Sequence, residues 1–546
     1  MKKKKINFKE GLPVIFFFFL SLASSAQHKY WITFVDKAGT VFNSTEYFDA
    51  RTIAQRLEQH IPLDSPTDFP VNENYIQQIK SCVSKTSYSS RWLNGIAVYA
   101  SNEQIERVKR LPCVADVEAM EEIFRMASVK EKRLHKLSRK ELALLKFQTE
   151  RMQGNKFQAG HYDGSGIRIA VFDAGFPGVD HHQAFDHLRK SNRVVATYDF
   201  VGHKEFVYAH HEHGTMTLSC ITGIMDSLNS GLATGAEFLL ARTEMSFREP
   251  FSEEENWLAA VEWADKHGAN IISSSLGYTS KRYFTSEMNG RKSLVARAAN
   301  IAASKGILVV SAAGNEGDSP WHIIDTPGDA DSVLTVGGTD PYTDLHIYFS
   351  SFGPTSDGRL KPNVSSLGNA VVANAHGWSE AFGTSFSTPL VAGFAACVWQ
   401  AHRDWTNMQV FHEIEKSGHL YPYFDYAHGY GIPQAGFFTE KKDSIEPTFD
   451  FVLVNNDMKV ILREKYSYVP AEELLGYNAK RNLFYRIDDK NGIVRYYAVI
   501  LAEQKEVLHY LLSQFQPGDK ITVHFEGYTY SYTINGDENP AQENKQ

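Results

Sequence analysis

A serine with the surroundings of a nucleophile stands in the segment GTSFSTPLVAG, residues 383–393. Gly383 permits a sharp entry into a helix, and Pro389 is expected in the first turn of that helix, where proline is tolerated. Ser385 would then lie at the helix N-terminus, where free backbone N–H groups and the helix dipole can stabilise an oxyanion. A lone serine in this position is more often a helix cap. The assignment of a nucleophile therefore requires partner residues.

Three upstream residues could supply what this serine lacks, because a hydroxyl is a weak nucleophile without a base. Asp173 ends the apolar run IRIAVFD, at the C-terminal end of a strand, where open α/β sheets carry their sites. His213 opens the helical run HGTMTLSCITG, and Asn315 follows the apolar run GILVVSAA. Alone, each would be a turn, cap or structural residue. Together, in the order Asp, His, Asn, Ser, they predict nucleophilic catalysis with an amide donor for the oxyanion.

The elements that must position these residues alternate between strand and helix over residues 161–438. Short apolar runs rich in β-branched residues are separated by helical segments such as NWLAAVEWADKHG. This alternation predicts an α/β fold with a doubly wound, mostly parallel sheet and helices on both faces. The chemistry would therefore belong to the middle of the chain.

Two smaller domains are predicted on either side. Residues 27–120 should form a compact α+β unit, in which Ser101 and Gln104 make a capping box at the start of one helix. Residues 448–536 should form a β-rich domain with a hairpin turn at Asn491-Gly492 and one helix in EQKEVLHYLLSQF.

The remaining segments indicate export and processing. Residues 1–26 combine lysines, an apolar run and small residues, the pattern of a secretory signal peptide. A secreted or periplasmic location is therefore expected. Residues 121–160 include a basic stretch and are expected to be an exposed, partly helical linker that contains the processing region. Residues 537–546 are polar and are expected to be disordered.

The composition excludes several classes of protein. The 546 residues correspond to about three domains. Charged residues at 22% and hydrophobic residues at 43% disfavour wholesale disorder and a polytopic membrane protein, so no membrane span is expected after signal removal. The net charge of -8 disfavours a nucleic-acid partner.

The cysteines do not form the pattern of a disulfide scaffold, because there are four of them in a long chain. A pair between Cys82 and Cys113 stays open. Cys220 and Cys397 lie in apolar helical segments and are expected to be small buried residues.

The middle domain resembles the subtilisin-like serine peptidases, or subtilases, whose catalytic residues run Asp, His, Ser along the chain. Further segments that carry the resemblance are GLATGAEFLLARTE, ANIISSSLG, SSFGPTSDGRLKPNV and GYGIPQA. The resemblance implies that Asp173 orients the imidazole and that His213 acts as general base and then acid. It implies that Ser385 is the nucleophile and that Asn315 forms the oxyanion hole with the Ser385 N–H. The chain departs from the family at four positions, and none of them removes a proton-transfer group: Ala174, Met216, Thr234 and Asn363.

The resemblance also implies which residues bind substrate. In the family, two segments flank the primary specificity pocket and pair, as edge strands, with an extended peptide. The residues of this chain at those positions are Ser275, Leu276, Gly277, Ala312, Ala313 and Gly314. They are small for the most part, which leaves room in the pocket for a sizeable apolar side chain.

The N-terminal unit resembles the inhibitor-like prodomain of subtilases in topology and position. Such a prodomain templates folding, occupies the cleft with its C-terminal tail and is then cut away. Cleavage is expected after Met120, within the segment up to about Gly160. The expected partners are a protein or peptide substrate and the chain's own prodomain as an intramolecular inhibitor.

A histidine-rich region could instead suggest a metal hydrolase. Its acidic neighbours are Asp180, Asp186 and Glu212, and its histidines are His181, His182, His187, His203, His210, His211 and His213. The spacing does not fit H-E-x-x-H or another pattern in which helical geometry converges the ligands. We therefore expect no catalytic metal and no cofactor for the chemistry, and structural calcium stays undecided.

The sequence thus predicts an exported, self-processed serine endopeptidase that acts through an acyl-enzyme intermediate. One alternative is a catalytically silent protein that uses the same scaffold to bind peptides or to display the C-terminal domain at a surface. In a second alternative, the C-terminal domain is a sorting or anchoring module, which would change the destination and leave the chemistry the same.

Overall fold

The computed structural model describes residues 27–120, 137–225, 227–245, 252–279, 282–441, 444–467 and 481–534, together with the backbone of 131–134. The predicted signal peptide and the predicted C-terminal tail lie outside these residues. Within the described part of the chain, no helix has the length and apolar character needed to cross a membrane.

The N-terminal unit is a four-stranded antiparallel sheet in the order β2-β3-β1-β4. Its strands and helices are β1 His28–Phe34, α1 Ser44–Tyr47, α2 Ala50–Glu58, α3 Glu73–Cys82, β2 Lys85–Ser90, β3 Gly95–Ala100, α4 Asn102–Val108 and β4 Val114–Met120. The capping box of Ser101 and Gln104 at the start of α4 is confirmed. One face of the sheet packs on α3 and α4. The other face packs on the middle domain, where Trp31 is fully buried.

The middle domain confirms the predicted α/β class. Its strands are β5 Glu131–Leu134, β6 Arg168–Asp173, β7 Val194–Asp199, β8 Ile224–Met225, β9 Leu228–Asn229, β10 Glu237–Arg242, β11 Ile271–Ser274, β12 Leu308–Ala312, β13 Val333–Thr339, β14 Val364–Leu367, β15 Asn369–Asn374 and β16 Gly377–Phe382. Its helices are α5 Arg139–Glu150, α6 Gly154–Ala159, α7 Asp186–Lys190, α8 His213–Thr222, α9 Ser252–Lys266, α10 Leu294–Ser304, α11 Thr384–Ala401, α12 Asn407–Lys416 and α13 Gly436–Thr439.

Seven parallel strands form the main sheet in the order β14-β13-β12-β11-β6-β10-β7. Helices α8 and α11 pack on one face and α9 and α10 on the other, and each face has its own apolar cluster. Strands β7 and β10 lie on one side of β6, with β7 outermost, and the chain then crosses to the other side of β6 to add β11, β12, β13 and β14 in turn. The carboxyl ends of β6 and β11 therefore form the switch point at which doubly wound sheets place their sites.

The expectation of an exposed helical linker over residues 121–160 is wrong for strand β5 and for the residues from α5 onward. Strand β5 pairs antiparallel with β16, and α5 packs into the core through Leu144 and Leu145, which are almost fully buried. The Gln148 side chain bridges two other segments, because it accepts from Val371 N and donates to Ser230 O. Helix α5 thus belongs to the middle domain, and the basic residues before it gave no signal of that packing.

The C-terminal domain is β-rich, as predicted. It contains two antiparallel sheets, β17-β18-β21 and β20-β19-β22-β23. Its elements are β17 Phe449–Val454, β18 Asp457–Leu462, α14 Glu464–Ser467, β19 Asn482–Asp488, β20 Val494–Leu501, β21 Glu506–Leu511, β22 Lys520–Phe525 and β23 Tyr528–Thr533. The turn between β19 and β20 contains Gly492, with a φ of 81°.

The helix predicted in EQKEVLHYLLSQF is wrong, because this segment forms strand β21. Leu508 is buried while Glu506 and His509 are exposed, and the strand pairs with β18. Sheet pairing across about 50 residues overrides the helical propensity of the segment.

All four cysteines are free, so the pair between Cys82 and Cys113 does not form. Cys220 and Cys397 are fully buried in helices α8 and α11, as predicted.

Candidate active site

The four predicted catalytic residues lie at one edge of the main sheet. Asp173 is the last residue of β6, and Asn315 lies just beyond the end of β12. His213 is the first residue of α8 and Ser385 the second residue of α11. These two helices pack against each other on the same face of the sheet. The packing brings their N-termini to the carboxyl ends of the strands.

Asp173 and His213 form a buried hydrogen-bonded pair. The His213 Nδ1 lies 2.8 Å from Asp173 Oδ1, and the carboxylate is fully buried. The same oxygen accepts from Ala174 N at 2.7 Å, and Asp173 Oδ2 accepts from the Thr217 hydroxyl at 3.0 Å. Thr217 lies one helical turn after His213, and no sequence pattern indicated its role. The carboxylate is therefore fixed in orientation before any substrate binds.

The pKa of His213 reflects two opposed influences. Burial of the ring lowers the pKa, whereas the charge of Asp173 and its hydrogen bond raise it. The effect of Asp173 is the larger in sum, so the pKa of His213 lies above its usual value. The geometry also depends on Gly214, where a Cβ would lie 2.3 Å from the Gly175 carbonyl oxygen. Glycine at this position lets α8 approach the loop after β6.

Ser385 is held by a reciprocal contact with Ser275. Pro389 is the sixth residue of α11, not a first-turn residue as predicted, and it cannot donate to the carbonyl four residues earlier. That carbonyl belongs to Ser385, and it accepts instead from the Ser275 hydroxyl at 2.8 Å. The Ser385 hydroxyl in turn donates to the Ser275 carbonyl at 3.3 Å. The proline thus frees an acceptor that ties the helix to the end of β11.

Ser385 and His213 make no hydrogen bond with each other among the described residues, and the residue next to Ser385, Phe386, contacts the imidazole. The ring of the adjacent Phe386 lies 5.7 Å from the imidazole, centroid to centroid. The Ser385 side chain is partly exposed, in contrast to the buried Asp173. Serine–histidine hydrogen bonds of free enzymes are often long and shorten when substrate binds.

Asn315 is exposed and oriented by Thr384. Its Oδ1 accepts from the Thr384 backbone N–H at 2.8 Å and from the Thr384 hydroxyl at 3.1 Å. The Nδ2 group has no acceptor among the described residues, so it can donate to a ligand. Asn315 was recognisable from its sequence context, whereas Thr384 was not, because nothing local links two residues 69 positions apart.

The predicted substrate-binding segments both lie beyond interior strands of the sheet. Strands β11 and β12 pair with neighbours on both sides, so the expectation of edge strands is wrong. Leu276 and Gly277 make no backbone–backbone hydrogen bond in the described part of the chain, and they can pair with a peptide. Ala313 and Gly314 already bind neighbouring loops, since Ala313 O accepts from Asp325 N and Gly314 O from Ser351 N. Ala312 is the last residue of β12.

The histidine-rich region does not converge on one point. His187 bonds to Thr222 at 3.1 Å, and burial lowers the pKa of His187 to about 4. The His181 ring lies against Asp180 at the surface. Among the described residues, no group of three or more His, Cys, Asp or Glu side chains is arranged to hold a metal ion.

The site combines a buried histidine oriented by a carboxylate with a serine at a helix N-terminus, on a parallel sheet. This combination is typical of hydrolytic enzymes of the α/β class whose catalytic residues follow the order Asp, His, Ser along the chain. The subtilase family, Peptidase S8, matches residues 164–431. The Peptidase S8 propeptide domain of Bacteroidota matches residues 29–136. The chain therefore contains a subtilase domain preceded by a subtilase propeptide domain.

Curated relatives agree with this assignment. Serine protease AprX of Bacillus subtilis strain 168 is 27% identical over 291 residues, which is 47% of this chain and 61% of that protein. Alkaline elastase YaB of Bacillus sp. strain YaB is 25% identical over 268 residues, 49% of this chain and 63% of the relative. Subtilisin NAT of Bacillus subtilis subsp. natto is 28% identical over 260 residues, 47% and 61% of the two chains. The chain spans about three fifths of the length of these relatives.

Proposed function

We propose that this protein is an exported serine endopeptidase, made as a precursor that processes itself. The observation that carries the proposal is the 2.8 Å contact between His213 and the buried Asp173, together with Ser385 at the N-terminus of α11, a helix that packs against the helix of His213. This arrangement supplies a base for the hydroxyl, and α11 supplies backbone donors for an oxyanion.

In the proposed reaction, the Ser385 oxygen attacks the peptide carbonyl carbon while His213 Nε2 takes the hydroxyl proton. Asp173 keeps the other proton on Nδ1 and stabilises the imidazolium. Asn315 Nδ2 and the Ser385 N–H donate to the oxyanion of the tetrahedral intermediate. His213 then protonates the leaving amine, which gives the acyl-enzyme. A water molecule activated by His213 releases the acid product and restores the serine. These steps use only side chains, backbone groups and water.

For substrate binding, Ser275, Leu276 and Gly277 would pair with an extended peptide. The free backbone groups of Leu276 and Gly277 support this role. Ala312, Ala313 and Gly314 would form the opposite wall of the specificity pocket and contribute shape, because the Ala313 and Gly314 backbones are already bound to neighbouring loops.

The N-terminal unit would act as folding template and intramolecular inhibitor. It contacts the middle domain through two ion pairs, Arg56 with Asp265 at 2.7 Å and Asp68 with Lys305 at 2.5 Å. We call these ion pairs cross-exchanged because each unit supplies the cation of one pair and the anion of the other. Arg56 also pairs with Asp68 inside the unit, at 2.8 Å. All four side chains are at most 4% exposed. Such contacts require the two units to fold against each other, since an isolated buried charge is costly.

Processing is proposed between residues 121 and 138. Later cleavage, up to Gly160, would detach α5, whose Leu144 and Leu145 are buried in the middle domain. The propeptide match to residue 136 supports the same region.

A fluorophosphonate probe tests the proposed activity, because it labels a serine only when the triad activates it. We expect stoichiometric labelling of the processed protein and a single modified peptide that contains Ser385. Heat-denatured protein is the control and should remain unlabelled. A folded protein that binds extended peptides but resists the probe would support the catalytically silent alternative.

The activity should fall at acidic pH with a midpoint above the usual histidine value of about 6.5. His213 acts as a base only when neutral, and the pKa of His213 is raised, so protonation begins at a higher pH than in free histidine. Below this midpoint, kcat/KM should fall about tenfold per pH unit. The measurement is kcat/KM on one peptide across the pH range. His181→Gln, which removes an exposed histidine, should leave the profile unchanged. A midpoint below that of free histidine would contradict the assignment.

Asn315→Ala should lower kcat by about 100- to 1000-fold with little change in KM, because the amide donor acts on the oxyanion and not on the ground state. Steady-state kinetics on a single peptide measure both constants. Asn315→Asp, which keeps the size and loses the donor, should be at least as impaired. A raised KM with unchanged kcat would show that Asn315 only binds substrate.

A further inference from the structure

Asp325 lies between the two segments proposed to line the specificity pocket. It is on the connection between β12 and β13, and its backbone N–H donates to Ala313 O at 2.9 Å. The next residue, Thr326, forms an antiparallel bridge with Tyr278 through hydrogen bonds of 3.0 and 3.3 Å. The backbone around Asp325 is therefore fastened to both segments.

The carboxylate of Asp325 occupies the space between two glycines of these segments. A Cβ on Gly277 would lie 2.6 Å from Asp325 Oδ2, and a Cβ on Gly314 would lie 2.4 Å from the same oxygen. Any larger residue at either position would collide with the carboxylate. Asp325 is only 5% exposed. The two walls thus converge on a buried acidic group.

The neighbouring carboxylate does not share this position. Asp329 Oδ2 accepts from Gly290 N at 2.7 Å, so this side chain turns toward another loop. Asp325 is therefore the acidic group placed against both Gly277 and Gly314.

We propose that Asp325 makes the pocket select peptides with lysine or arginine at the position before the scissile bond. This inference rests on the proposed function. A carboxylate at the end of a pocket with small walls can receive a long cationic side chain and form a charge-assisted hydrogen bond with it. An apolar side chain would desolvate the carboxylate further without supplying a positive charge. The small walls alone leave room for a sizeable apolar side chain, and Asp325 adds a charge to that room.

The proposed processing region of the precursor contains peptide bonds that follow a lysine or an arginine. The basic residues between 121 and 138 are Arg125, Lys130, Lys132, Arg133 and Lys136. A pocket that selects lysine or arginine would direct self-cleavage to one of them. The mature N-terminus should therefore follow a basic residue.

The test compares four peptides that differ only at the residue before the scissile bond, which is Arg, Lys, Leu or Phe. We expect kcat/KM for Arg and Lys to exceed that for Leu and Phe by about 100-fold in the wild type. Asp325→Asn should lower kcat/KM for the basic peptides about 100-fold and change that for the apolar peptides less than about threefold. Asp318→Asn removes an exposed carboxylate from the nearby loop and should leave all four values unchanged.

Fluorophosphonate labelling shows whether the Asp325→Asn protein keeps a reactive serine. The preference of the wild-type protein among the four peptides tests the inference without any variant. A wild-type preference for Leu or Phe would overturn the inference and leave the proposed function standing. An equal loss on all four peptides in a labelled Asp325→Asn protein would also overturn it. Absence of cleavage at every residue would overturn the proposed function, and this inference with it.

Discussion

Ser385→Ala should abolish turnover, with a fall in kcat of about 10⁶-fold, the scale on which a triad is lost as a unit. The variant keeps the Ser385 carbonyl, its contact with the Ser275 hydroxyl and the helix that carries it. The loss would therefore report the missing nucleophile and not a displaced helix. Peptide hydrolysis and fluorophosphonate labelling measure the effect.

The same variant tests self-processing. Expressed as a precursor, Ser385→Ala should retain residues 27–120, and its N-terminus should differ from that of the wild type. Ser387→Ala is a matched control on the same helix, since its hydroxyl donates to Leu367 O, away from the proposed catalytic residues. The control should label and process normally. A Ser385→Ala protein with the wild-type N-terminus would show that another protease cuts the precursor.

Asp173→Asn should lower kcat about 10⁴-fold while the site keeps its shape. The amide can donate to Nδ1 of His213, which places the ring proton on Nε2. A protonated Nε2 cannot accept the proton of the serine hydroxyl. The charge that raises the pKa of His213 is lost as well. The acidic limb of any residual activity should therefore move to lower pH.

Stopped assays at high enzyme concentration can follow the residual rate of Asp173→Asn. Asp180→Asn, which removes an exposed carboxylate seven residues away, is the control and should retain full activity. A loss of less than about tenfold in Asp173→Asn would exclude Asp173 as the partner of the catalytic base.

The features that could be predicted from the sequence are those that depend on local patterns. The capping box of Ser101 and Gln104, the alternation of the middle domain and the run that ends in Asp173 depend on residues close in sequence. In subtilases the catalytic residue types also follow a fixed order along the chain, Asp, His and Ser, and this order made Ser385 recognisable. The fold class and the residues proposed for the site followed from these patterns.

The contacts that the sequence did not reveal are long-range. Asp325 carries no motif, and its meaning depends on Gly277 and Gly314, which only the fold brings to it. The segment of strand β21 has a local helical propensity, and its strand partner, β18, lies about 50 residues earlier, too far away to appear in a local pattern. Tertiary pairing decides such cases, and a single sequence contains no direct record of it.

The cross-exchanged ion pairs of the N-terminal unit have a consequence for what happens after cleavage. Each surface contributes one cation and one anion, Arg56 and Asp68 on one side and Lys305 and Asp265 on the other. When the pieces separate, Arg56 can stay with Asp68, and Lys305 remains within electrostatic reach of Asp265. Neither departing surface is left with a net charge from this network, and both can be wetted by water. The four charges of this network would thus join the precursor and still be balanced within each of its two products.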